Sequence, residues 1–186
     1  MLKKILLVVA AALVAFVGFV FTRPDTYEVS RSALVAAPAE VAYAQVADFH
    51  HWKAWSPWEK LDPAMKTTHS GTPGAVGSSY AWTGNKDVGS GKMTLLEARP
   101  GERVRIQLEF IEPFAAVSDT TFRFQPEGAG TRVQWSMVGQ SGFVTKAMGV
   151  FMNMDAMIGK DFEKGLAQLD AASRAEAARL ATAPKP

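Results

Sequence analysis

Between Lys66 and Gly139 the chain keeps a two-residue rhythm, and that rhythm restricts the folds open to it. Successive side chains of a strand point to opposite faces, so a half-buried strand alternates apolar with polar residues. Arg103–Ile111 is the clearest case. Val104, Ile106, Leu108 and Phe110 face one way, and Arg103, Arg105, Gln107 and Glu109 the other. Pro100-Gly101 turns into it and Pro113 ends it. The stretches 66–69, 78–83, 88–99, 116–125 and 131–138 repeat the pattern between Gly-rich or polar turns. Upstream, 27–36 alternates as well, with Val29, Arg31, Ala33 and Val35 on one face. The expectation is an antiparallel meander of about six to seven strands, the first strand added at an edge.

Helical spacing flanks this meander. Ala37-Pro38-Ala39-Glu40 opens a helix, with proline in the first turn and an acid at the positive end of the dipole. Val41, Ala44 (or Gln45) and Ala47 carry it to Asp48. A second short helix over 50–55 ends at Ser56-Pro57, because a residue before proline avoids the helical region. After the strands, Val144, Met148, Phe151, Ile158, Phe162, Leu166 and Leu169 recur at three- and four-residue steps. They predict one helix of about 25 residues, capped near Ser141 or Gly142. The Ala-rich tail, 171–186, extends it and frays. The class is α+β.

The N-terminus obeys a different rule. Ile5–Phe21 is a run of 17 uncharged residues, apolar except for Gly18. As a helix it measures about 26 Å, at the short end of what crosses a bilayer core. The run reads as a single-pass anchor in the inner membrane, with a cleaved signal peptide and a buried soluble helix as alternatives. Cleavage favours small residues at a polar boundary. Here the alanines lie inside the run, and Phe19, Val20 and Phe21 close it. Lys3 and Lys4 would hold the N-terminus in the cytoplasm and leave the domain periplasmic or otherwise extracytoplasmic. The expected organisation is an anchor over 1–23, a domain over 24–170 and a tail over 171–186.

Composition excludes several chemistries. The chain has no cysteine, so disulfides, thiolate nucleophiles and Cys-ligated metals are out. The net charge of +2 comes from the N-terminal flanks. Beyond residue 23 the chain has 17 basic and 18 acidic residues. No basic stripe or motif asks for nucleic acid. The adjacent His50 and His51 diverge on a helix, so no metal site and no cofactor is expected.

Local motifs add a resemblance. Ala36-Ala37-Pro38-Ala39-Glu40-Val41, Val46-Ala47-Asp48 and Trp52-Lys53-Ala54-Trp55-Ser56-Pro57-Trp58 look like the start of SRPBCC (START-like) domains. They are most similar to the bacterial polyketide cyclase/dehydrase branch. Tyr80-Ala81-Trp82, Gly84-Asn85, Val88-Gly89-Ser90-Gly91, 130–135 and 154–166 fit the same branch. The resemblance covers residues 27–170. It implies a helix-grip fold, a curved sheet wrapped around the long C-terminal helix with an apolar cavity between them. It fixes no reaction, since members include lipid carriers, hormone receptors, co-chaperones and cyclases.

Candidate residues follow. Trp52, Trp55 and Trp58 have helical-turn spacing and are expected near the cavity mouth, offering wide apolar area and an N–H donor each. The alternative is a lid that closes one end of the core. Tyr80, Trp82, Phe110, Phe122, Trp135 and Met137 sit on alternating strand faces, as core or cavity wall. Met148 and Met152 would line a pliable pocket or pack the core. Asp155 lies seven residues from both Met148 and Phe162, which places it on the apolar side of the helix. A carboxylate there would hold a ligand, act with Tyr80 as an acid/base pair, or pair with an arginine or a Trp N–H. The expected function is a membrane-anchored domain that binds an apolar small molecule or lipid. The alternative is a cyclase/dehydrase-type enzyme using the same cavity.

Overall fold

The computed structural model describes residues 1–151 and 153–183. Seven strands form one antiparallel sheet in the order β1-β7-β6-β5-β4-β3-β2. They are β1 (Thr26–Val35), β2 (Lys66–Ser70), β3 (Ser79–Thr83), β4 (Ser90–Arg99), β5 (Arg103–Glu112), β6 (Ala116–Glu127) and β7 (Gly130–Gln140). From β3 onward every strand pairs with its predecessor, as short turns dictate, and β1 joins the far edge on β7. The edge placement expected for the first strand is therefore observed.

The helices are α1 (Leu2–Phe21), α2 (Ala39–Ala47), α3 (Trp52–Trp55), α4 (Phe143–Phe151) and α5 (Met154–Thr182), with a 3₁₀ turn at Phe49–His51 before α3. On α2 the buried face is Ala42, Gln45 and Val46, whereas Ala44 is exposed. Of the two expected registers, the one through Gln45 is correct. The sheet's inward face grips α5, and α2 and α3 close the same layer. This is the helix-grip α+β architecture.

The single long C-terminal helix is corrected to two helices. Asn153 interrupts it in an extended conformation and serves as N-cap, its side chain accepting the Ala156 N–H at 3.0 Å. A side chain that satisfies an orphan donor this way favours a fresh start over a continued helix. The seven-residue step from Met148 to Asp155 therefore crosses a break and carries no phase.

One end of the grip is tightly packed. Trp135 lies nearly parallel to Phe162 with ring centroids 4.0 Å apart, and stacks on Phe122 at 4.8 Å with the planes inclined by 29°. Gly165 makes room for this stack, because a Cβ there would come within 2.7 Å of the Trp135 ring. A second glycine, Gly159, lets the Arg31 guanidinium lie flat across α5 from β1. Arg31 then donates to Asp155 at 2.9 Å on one side and to Glu163 at 2.9 Å on the other.

Candidate functional site

Toward the other end of the grip the inward-facing rows shrink. On β6 the row runs Phe124, Phe122, Thr120, Ser118, large and apolar giving way to small and polar. On β5 it runs from fully buried Val104 and Ile106 to half-buried Leu108 and Phe110. The space left between this part of the sheet, the segment 56–59 and α5 is a cavity of about 360 Å³. Small-molecule sites commonly measure about 300–1,000 Å³, so this one is at the small end.

Its wall is mainly aromatic and thioether. Trp52, Trp58, Tyr80, Trp82, Phe110, Trp135 and Met137 line it, as do Tyr27, Met65, Met93, Leu108, Met154, Ile158 and Phe162. Trp82 lies across Gly91, its cross-strand partner, where a Cβ would come within 2.5 Å of the indole. Its N–H donates to the Val88 carbonyl at 3.1 Å. Tyr27 likewise crosses Gly139, its partner on β7, to share a 3.1 Å hydrogen bond with the Ser118 hydroxyl on β6. These two glycines let rings lie flat against the sheet and form the cavity floor.

Several polar groups border this space, and some of them are already engaged. Trp52 donates its indole N–H to the Val46 carbonyl at 2.9 Å. Tyr80 donates its hydroxyl to Glu59 at 2.5 Å. Burial, and next the hydrogen bond to Glu59, push the Tyr80 phenol far above its ordinary value. Its hydroxyl is committed as a donor to Glu59. Glu59, Asp87 and Asp161 also border the cavity. Thr120 Oγ1 and Trp135 Nε1 are buried without a hydrogen-bond partner among the described residues.

Several sequence expectations change here. Trp55 is wholly buried and does not border the cavity. Its N–H donates to the Gln45 carbonyl at 2.9 Å, and its ring packs on Phe122 and Trp135. Phe122 is packed core too. The tryptophans part company because α3 ends at Trp55 and Ser56 is extended, so Trp58 leaves the helix. Met148 is exposed on α4, away from the cavity, and Met152 lies outside the described residues. Asp155 is corrected most. It is on the surface, its side chain 54% exposed, bidentate to Arg31 and not beside Tyr80. The arginine hydrogen bond holds its carboxyl below the usual range. The arginine partner is one of the arrangements the sequence suggested; the apolar setting is not. Sequence reasoning missed Tyr27, Glu59 and Asp161. The decline in side-chain size along β6 was the available signal for the hollow itself.

A family model described as polyketide cyclase / dehydrase and lipid transport matches residues 26–174, nearly the whole sheet-and-helix unit. The chain belongs to this family. Its solved structural neighbours include a Thermus thermophilus protein, 18% identical, with TM-score 0.59 over 81% of this chain and 99% of that one. A Staphylococcus aureus protein of unknown function is 14% identical, with TM-score 0.60 over 81% and 95%. A Chromobacterium violaceum protein is 19% identical, with TM-score 0.56 over 80% and 96%. At such identities the likeness speaks for the fold alone. No curated protein matches the chain. These neighbours share the fold, and the cavity of this chain suits an apolar ligand. The N-terminal apolar helix α1 stands outside the matched region.

Proposed function

We propose that this family member is a membrane-anchored carrier, or holder, of an apolar small molecule or lipid. The observation that carries the reading is the cavity itself, walled by aromatic rings and methionines between sheet and α5. Burial of apolar ligand surface is worth about 25 cal/mol per Å² before the costs of association. Methionine side chains adapt to ligands of irregular shape. Trp52, Trp58, Tyr80, Trp82, Phe110, Trp135 and Met137 are the contacts from the sequence, joined by Tyr27, Leu108 and Ile158. The fixed Tyr80–Glu59 pair orients one polar end of the ligand. The Tyr80 hydroxyl already donates to Glu59 at 2.5 Å, an arrangement that suits holding a ligand.

The anchor is α1. It is the one helix among the described residues long and apolar enough to cross a membrane, and its surface is almost wholly uncovered. With Lys3 and Lys4 cytoplasmic, the cavity domain lies outside the inner membrane. Native mass spectrometry of the full chain, purified in detergent from its membrane fraction, tests the proposal. A co-purified lipid or apolar adduct is expected, and it should fall in Leu108→Trp, whose indole intrudes into the cavity. An adduct retained equally by that variant would place binding elsewhere and overturn the assignment.

A further inference from the structure

Only four residues, Thr22–Asp25, link the end of α1 to the start of β1. Fully extended they reach about 14 Å. The end of the domain that holds Thr26, its partner Gln140, α4 and the start of α5 is therefore kept next to wherever α1 emerges. Helix α4 is fixed there by polar bonds. The Ser141 N–H donates to the Asp25 carbonyl at 2.7 Å, and Lys146 donates to the Asp25 carboxylate at 2.5 Å. It also packs directly on α1. Phe143 meets Phe21 at 5.6 Å between ring centroids, and Phe151 meets Phe16 at 5.8 Å.

These two contacts give a direction. As α4 advances from Phe143 to Phe151, its partner on α1 recedes from Phe21 to Phe16, into the apolar run. Five helical residues are about 7.5 Å, within the depth of about 5–10 Å to which amphipathic helices sink into a bilayer. The outer face of α4 suits that depth. Val144, Met148 and Phe151 recur at helical spacing, all exposed, with Phe151 78% exposed. Lys146 is the only charged residue of α4; its side chain is 9% exposed and is paired with Asp25. An open groove of about 570 Å³ lies between α4 and the α1–β1 link, and Tyr27 and Met154 border both it and the inner cavity.

We infer that α4 docks into the bilayer beside α1 and turns the mouth of the cavity onto the membrane surface. The partner of its apolar face is lipid. This rests on the reading of α1 as a membrane anchor, and deepens it by naming the membrane itself as the source of ligand. Burying the apolar face of α4 needs no conformational change, because α1 already holds the helix at the required depth.

The chain's lack of cysteine allows a direct test. Full-length Phe151→Cys, Met148→Cys and Leu34→Cys, each carrying a nitroxide, are reconstituted in vesicles of phosphatidylethanolamine and phosphatidylglycerol. Flotation after carbonate washing comes first. Protein that fails to float overturns the anchored reading and this inference with it. In floating protein, labels at 151 and 148 are expected to collide with dissolved oxygen several-fold more, relative to a water-soluble nickel chelate, than the label at 34. A label at 151 wetted by nickel as strongly as at 34 overturns the α4 inference alone. Shielding of 151 from both reagents also overturns it, since a protein surface then covers the helix.

Discussion

The interface between sheet and α5 has two ends made from the same rows of side chains, one solid and one hollow. At the solid end Trp55, Phe122, Leu166 and Leu169 are buried with almost no exposed surface, and the stacked Trp135 and Phe162 mark the boundary, packed on one side and bordering the cavity on the other. At the hollow end the same strands present Thr120, Leu108, Phe110 and Met137 around open space. Close packing makes each lost methylene costly, whereas a wall facing a void has few partners to lose. Stability should therefore reside at one end and ligand binding at the other. Mutations divide the two.

The largest effect is expected from Phe162→Ala. It removes a ring stacked 4.0 Å from Trp135 at the boundary of the solid end, and the space left there opens into the existing cavity. Such truncations cost about 3–5 kcal/mol. Chemical denaturation of the full chain in detergent measures this, and a loss below about 1 kcal/mol would mean that the solid end is not solid. Gly165→Ala comes next. Its Cβ would meet the Trp135 ring at 2.7 Å, and overpacking of this kind costs about 1–3 kcal/mol. Gly142→Ala is the control, with no atom within 4 Å of a new Cβ, and its melting temperature should stay put.

The hollow end should respond in the opposite sense. Leu108→Trp adds volume to the space rather than to a packed layer. It should change stability by less than the overpacking range of about 1–3 kcal/mol, while weakening retention of the proposed apolar ligand. A melting loss equal to that of Gly165→Ala would show that the void closes in solution, and would erase the contrast between the ends.

How far the sequence reveals this contrast depends on which physical signal is local. Strand periodicity is local, and all seven strands stand within a few residues of their expected bounds. The inward faces read from it, such as Val104 to Phe110, are also right. Distance along a strand is not local. Phe122 and Phe110 carry equal apolar character, yet one is core and the other cavity wall, because only the assembled sheet sets their position against α5. The Asn153 break failed to register for a different reason. Apolar residues on both sides keep a seven-residue step, and a single capping side chain outweighs that rhythm. Asp155 was misplaced in consequence. Glu59 belongs to a loop whose course depends on Ser56 leaving the helix, and no periodic pattern reports that.

The smallest expected effect lies outside both ends, in the clamp of Arg31 on Asp155 and Glu163 across Gly159. Exposed ion pairs add little to stability. Their pH dependence still has a defined sign. The Asp155 carboxyl titrates below its usual range when folded, mainly because Arg31 donates to it. A group of this kind stabilises the fold above its unfolded value, about 3.9, and loses that contribution as pH falls through the lower folded value. Asp155→Asn should therefore melt slightly below the parent at pH 7 and level with it near pH 2. Arg31→Gln should show the same convergence. Gly159→Ala supplies the geometric counterpart, since its Cβ would lie 1.9 Å from the guanidinium and push the arginine off the helix. It should reproduce the acid-sensitive part of the loss while both charges remain in the chain. If Asp155→Asn instead lowers melting equally at both pH values, the clamp works through packing of the arginine on α5, and the carboxylate adds nothing.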